Sequence, residues 1–224
     1  TGIFDREAAN SDPDNLDSGG VGILRSEDGG ATWEVLANGF EQHHLHLGSL
    51  ALHPENPDIL LAGADTPAAA SYLGAAMGGL YGSIDGGDTW SKLDDDPINS
   101  VEICEGNPNV AYAANSAEVF RTDDLGETWS VVASDEWAPA GFVGGVPIDM
   151  QCDPRDSKRV FINSYGGGNF VSEDGGATWA VSSKGYTGAR MADIEVSSSD
   201  SGKVFVTARS GVFGSSNGGG QWNG

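Results

Sequence analysis

Five copies of one eight-residue segment fix what this chain can fold into. They read Ser26-Glu-Asp28-Gly-Gly30-Ala-Thr32-Trp33, Ser83-Ile-Asp85-Gly-Gly87-Asp-Thr89-Trp90, Thr122-Asp-Asp124-Leu-Gly126-Glu-Thr128-Trp129, Ser172-Glu-Asp174-Gly-Gly176-Ala-Thr178-Trp179 and a decayed Ser215-Ser-Asn217-Gly-Gly219-Gly-Gln221-Trp222. Their tryptophans stand 57, 39, 50 and 43 residues apart. That spacing suits one unit of four short strands per repeat, the pattern of a propeller blade. An Asp side chain bonds amides of its own turn. Glycine takes the positive φ. Asp28, Asp85, Asp124 and Asp174 therefore read as turn staples, and Trp33, Trp90, Trp129 and Trp179 as packing between neighbouring units.

A short apolar strand precedes each copy, and two more lie upstream, joined by turns such as His53-Pro54 and Asp153-Pro154. No segment has a helical period. The expected fold is an all-β propeller of four-stranded antiparallel blades. About five blades are represented: a partial one at 1–36, then 37–90, 91–129, 130–179 and 180–224. The first inner strand is missing from that count, so the chain is expected to be part of a larger propeller.

The innermost strands line a channel in such a fold. Aligned by their Pro turns, they alternate. The apolar slots, Leu50/Val101/Met150/Ile194 and Leu52/Ile103/Cys152/Val196, should pack between layers. The polar slots bring Glu102, Asp149, Asp193 and Glu195 around one axis, as a wet acidic channel, a cation site or a catalytic carboxylate pair, since close like charges raise one pKa. Cys104 and Cys152 fall in different slots, which gives no argument for pairing them; two cysteines are not a disulfide framework.

The loops opposite the repeat turns hold Tyr72, Trp137, Phe142, Tyr165, Tyr186 and Arg190, candidate sugar platforms or anchors for a protein. His44 and His46 point to one side of an extended segment, as a metal pair would. Asp12, Asp14 and Asp17, with Asn15 and Gly19, offer the oxygen ligands of a calcium loop, without the helix–loop–helix spacing.

The repeated segment resembles the Asp box, or bacterial neuraminidase repeat. The texture of Leu50-Ala-Leu-His-Pro54-Glu-Asn-Pro57 running on to Gly79-Leu-Tyr-Gly-Ser83 is similar to xyloglucanase-type glycoside hydrolases, sortilin-like ectodomains and photosystem II assembly-factor-like propellers. Sialidases also carry Asp boxes, but the Arg-Ile-Pro segment of that family is absent. The resemblance implies an extracellular or cell-surface module. The first expectation is a binding propeller that takes a glycan or protein on its loop face. The alternative is a glycoside hydrolase domain, xyloglucanase-like before sialidase-like, contributing a carboxylate pair from Glu102, Asp149, Asp193 and Glu195.

Charge narrows the partners. The chain has 224 residues, 33 acidic and 11 basic side chains and a net charge of −22. That charge repels nucleic acid and anionic membrane surfaces, and no apolar stretch is long enough for a membrane helix. The surplus reads as a solvation device suited to a salty medium, with stability expected to rise with salt or calcium.

Overall fold

The computed structural model describes residues 23–40, 46–65, 78–134, 137–166, 168–184, 191–208 and 211–223. These residues form five antiparallel sheets and no helix. The first sheet is β1 (Ile23–Arg25) with β2 (Glu34–Leu36). The second is β3 (His46–Leu52), β4 (Leu60–Asp65), β5 (Gly79–Ser83) and β6 (Ser91–Asp94). The third is β7 (Ser100–Ile103), β8 (Ala111–Ala114), β9 (Val119–Thr122) and β10 (Ser130–Ala133). The fourth is β11 (Val146–Asp153), β12 (Asp156–Tyr165), β13 (Gly168–Ser172) and β14 (Ala180–Val181). The fifth is β15 (Met191–Val196), β16 (Val204–Ala208) and β17 (Gly211–Ser215), extended by an antiparallel bridge from Gly214 to Asn223. Each four-stranded sheet is a simple meander, the form of a propeller blade. The strand after each repeat tryptophan pairs back onto the strand before the turn, so the sheets run past Trp90, Trp129 and Trp179.

The chain divides into two compact units, Thr1–Ile98 and Asn99–Gly224. In the first, Ile23, Leu36, Leu60, Ala62, Ala64, Tyr81 and Trp90 form one core. Phe40 stacks on Trp90 at 5.2 Å and meets Tyr81 edge-on at 5.0 Å. In the second, the alternation of β12 separates two layers of core. Val160 and Ile162 pack with Cys104, Tyr112, Met150 and Phe170 against the third sheet. Phe161 packs with Ile194, Val196, Val204, Val206 and Trp222 of the fifth.

The repeat turns share one geometry. Asp124 accepts the Thr128 N–H at 2.9 Å and the Thr128 hydroxyl at 2.6 Å, while the Thr122 hydroxyl donates to it at 2.6 Å. Asp28, Asp85 and Asp174 repeat these bonds with Thr32, Thr89 and Thr178. Gly126 sits at φ 90°, the left-handed conformation that only glycine adopts cheaply. Four of the turns are also docked on the connector between the first two strands of their own sheet, or on the start of the second: the N–H groups of Gly86, Leu125, Gly175 and Gly218 donate to the carbonyls of Asp58, Asn109, Lys158 and Gly202 at 2.8–2.9 Å.

An arginine then clamps the turn of the following sheet. Arg25 donates to the Gly86 carbonyl at 3.0 Å and pairs with Asp88 at 2.8 Å. Arg159 donates to the Gly218 carbonyl at 2.7 Å, pairs with buried Asp153 at 3.1 Å and lies over the Phe161 ring at 4.7 Å. Arg121 lies over Tyr112 at 5.6 Å and against Gly175.

Two packing expectations are corrected. Trp33 is exposed, its ring lying over its own turn, where its N–H donates to the Gly30 carbonyl at 3.1 Å. Leu52 is also exposed, while its neighbour Ala51, on the opposite side of the strand, is buried; β3 carries a register shift between Leu47 and Ser49.

Candidate functional site

In the second unit β11 lies beside both β7 and β15. The polar slots of these three strands bring the carboxylates together, and each reaches for a neighbouring main chain. Glu102 on β7 accepts the Cys152 N–H at 3.2 Å. Asp149 on β11 accepts the Ile194 N–H at 2.9 Å through Oδ2. An inner strand pairs on one side only, and these carboxylates satisfy N–H groups on its open side. Burial pushes the Glu102 carboxyl up to about 8, against the lowering effect of the Cys152 N–H, and the charges of Asp149 and Glu195 add to the rise. Burial, and then the hydrogen bond with Asp193, pushes Asp149 up to about 7. Glu195 is raised by desolvation and by Asp193. Asp193 and Glu195 are exposed; Glu102 and Asp149 are half-buried. Among the described residues no three His, Cys, Asp or Glu side chains come close enough to hold a metal.

Cys104 and Cys152 are joined in a disulfide, with Cα atoms 5.2 Å apart. Strand slots gave no reason to pair them, because Cys104 lies one residue beyond the end of β7. The chain turns there, where the Cys104 carbonyl accepts the Asn107 N–H, and that turn brings the sulfur to β11. Next to it, a Cβ at Gly106 would collide with the Pro154 carbonyl, so the backbones of the third and fourth sheets touch at this point.

Of the loop aromatics, Trp137 is corrected from anchor to core. It is 6% exposed and meets Phe170 edge-on at 5.2 Å and Trp179 at 5.4 Å. Its ring also supports the loop above, since a Cβ at Gly144 would stand 3.0 Å from it. Phe142 is 50% exposed and Val143 74%. Val146 and Tyr165, paired in register across β11 and β12, are also exposed. A hollow of about 500 Å³ is lined by Ser116 and residues 141–146. The aliphatic half of this patch, Val143 and Val146, carries no signal in the sequence, where only its aromatic members stand out.

Tyr72, Tyr186, Arg190, His44 and the segment of Asp12, Asp14 and Asp17 lie outside the described residues. Of His46 only the backbone, at the start of β3, is described.

Two buried polar residues had no sequence signal from the repeat alone. Asn163 and Asn169 are both 0% exposed, and neither side-chain nitrogen nor oxygen has a hydrogen-bond partner among the described residues. Aligning the register across sheets is the signal that finds them. Their counterparts are Gly63 and Leu80, Ala114 and Val119, Thr207 and Val212.

Sheets of this form, repeated with one docked turn each, define a β-propeller. The chain resembles GH74 xyloglucanases and Ycf48 propellers. No protein-family model matches it. It is 26% identical over 167 residues to the photosystem II assembly lipoprotein Ycf48 of Synechococcus sp. (strain CC9902), covering 71% of this chain and 43% of that protein. In fold it is similar to the GH74 xyloglucanase from Xanthomonas campestris, with a TM-score of 0.67, 18% identity and coverage of 92% of this chain and 34% of that one. Ycf48 from Cyanidioschyzon merolae follows at TM-score 0.50 and 14% identity, over 80% and 55% of the two chains. The chain thus spans less than half of the curated relative and about a third of the xyloglucanase.

Proposed function

We propose that this chain is a binding module built on Asp-box blades, and that its ligand is a polypeptide with an apolar anchor flanked by Lys or Arg. The observation that carries this reading is the exposed patch of Phe142, Val143, Val146 and Tyr165 beside the hollow lined by Ser116 and residues 141–146. Clustered apolar side chains around a concavity mark an interaction site. Valines favour a side-chain anchor over a sugar ring, which prefers flat aromatic faces with polar groups around them. The charge of −22 steers basic flanks toward the surface and away from anionic ligands. A partner protein also agrees with the word assembly in the name of the Ycf48 relative.

The test is selection from a displayed peptide library, followed by affinities for wild type, Phe142→Ala and Val143→Asp. The reading expects peptides with an aromatic or aliphatic anchor and basic neighbours. Their binding should fall at least tenfold in either variant and weaken with salt. Equal binding by all three proteins overturns it. A glycan array bound by wild type and lost in Phe142→Ala replaces the peptide with a neutral sugar.

The second reading, a glycoside hydrolase half-site, draws on the four carboxylates. Asp149 and Asp193 are in hydrogen-bond contact. Retaining enzymes place their carboxyls about 5–5.5 Å apart and inverting ones about 6.5–9.5 Å, so this pair has no room for the anomeric carbon. Glu102 and Asp149 are each engaged with a neighbouring N–H. The binding reading is therefore the better supported.

A further inference from the structure

The fourth sheet carries a polar row that the other sheets lack. Asp149 on β11 is opposite Asn163 on β12, which is opposite Asn169 on β13. All three face the fifth sheet. Phe161, two residues before Asn163, packs with Ile194, Val204 and Trp222. Val171, two residues after Asn169, packs against the same cluster. Asp149 reaches the Ile194 N–H. Side chains two apart on a strand share a face.

Two fully buried carboxamides with four unpartnered polar atoms are an anomaly. Folded proteins satisfy nearly all such groups with protein, water or a bound ion. The neighbouring repeats show that Ala114 with Val119 fits the same two positions without that cost. The asparagines call for a partner that the described residues do not supply. Opposite Asn163 stands a carboxylate, Asp149, in contact with a second, Asp193, which is exposed to solvent.

We propose that a divalent cation of the calcium class binds between the fourth and fifth sheets. It takes the carboxylate of Asp149, the side-chain carbonyl oxygens of Asn163 and Asn169, and the carboxylate of Asp193 at the solvent edge. The donor set is all oxygen and mixes carboxylates with neutral carbonyls, as a hard cation with six to eight ligands requires, with water completing the shell. A soft or nitrogen-seeking metal has no donor in this row. The site is separate from the segment of Asp12, Asp14 and Asp17 and from the exposed patch.

Calorimetric titration with CaCl2 alone, after chelation, tests it, together with melting in CaCl2 and in chelator. Wild type should bind one equivalent at this site. Calcium at a hundredfold excess over its dissociation constant should raise Tm by roughly 5–10 °C. The double variant Asn163→Ala with Asn169→Val installs the residues of the third sheet and should lose that shift while keeping its β-sheet spectrum. Asp193→Asn, an exposed change that leaves the core intact, should weaken binding at least tenfold. Asp12→Asn with Asp14→Asn should leave the shift in place. The proposal fails if wild type shows no calcium-dependent shift, leaving ordered water as the occupant. It also fails if the shift survives in the double variant, or disappears only in the Asp12 and Asp14 variant. Where the double variant does not fold, unchanged affinity in Asp193→Asn overturns it.

Discussion

Glu102 accepts the main-chain N–H of Cys152 at 3.2 Å, two residues before the disulfide that joins Cys104 to the same Cys152. The third and fourth sheets are therefore tied by a covalent bond and a carboxyl at one level. That carboxyl ionises at about 8 in the fold and near 4.5 when unfolded. Between those values the folded protein holds a proton that the unfolded chain has released, so stability is full below about pH 4.5 and declines up to about pH 8. Glu102→Gln keeps an acceptor for the Cys152 N–H and removes the titration. The expected result is a gain on the order of a few kcal/mol at pH 8 and near equality with wild type at pH 4. Denaturant melts at the two pH values check it; an equal change at both would assign Glu102 a pH-independent role.

The disulfide closes a loop across a sequence separation of 48. In the chain-entropy view such a crosslink stabilises by about 4 kcal/mol. Both sulfur positions are buried in the apolar core shared by the third and fourth sheets, where free thiols are tolerated. The paired variant Cys104→Ser with Cys152→Ser should cost more than reduction of the wild type, because two buried hydroxyls are then left without partners. Melts of reduced, oxidised and double-Ser protein rank the three. A reduced form as stable as the oxidised one would show that Glu102 and the packed core hold these sheets unaided.

The repeat was enough to read the turn chemistry and the all-β blades, because a residue such as Asp85 binds groups only four positions away. Inner-strand alternation placed Glu102 and Asp149 on the polar side of their strands, because side chains two apart on a strand share a face. What failed depends on contacts between distant segments. Trp137 stands outside the repeat in a Pro-containing loop, and nothing local reveals that Phe170 and Trp179 wait beneath it. Cys104 reaches Cys152 only because the chain turns after β7. Arg159 clamps Gly218, 59 residues away, a contact that no local pattern reveals.

Trp137 and Phe142 lie five residues apart and should separate cleanly in mutation. Trp137→Ala empties a site against two aromatic rings and should cost about 3–5 kcal/mol. Phe142→Ala removes a half-exposed ring and should change stability by less than about 1 kcal/mol. Thermal melts of the two variants decide. Comparable losses would mean that the Phe142 ring is packed rather than presented.

The repeat turns set the acid limit. Hydroxyl bonds from Thr122 and Thr128, with the Thr128 N–H, hold the Asp124 carboxyl at about 2, below its ordinary value of 3.8. The contribution of this carboxylate is present above about pH 4 and is lost as pH falls through about 2, because protonation removes acceptors the turn uses. The fifth copy shows what remains without the charge: Asn217 still accepts the Gln221 N–H at 2.8 Å and the Ser215 hydroxyl at 2.9 Å. Asp124→Asn should therefore fold with a small loss of Tm at neutral pH and a flatter decline between pH 4 and 2 than wild type. Asp124→Ala, which orphans the Thr128 N–H and both hydroxyls, should lose more at neutral pH. Melts of the three proteins across pH 2–7 check the order. If Asp124→Asn is as damaging as Asp124→Ala at pH 7, the charge matters more than the hydrogen bonds, and the fifth turn must be held by the Arg159 clamp on Gly218 instead.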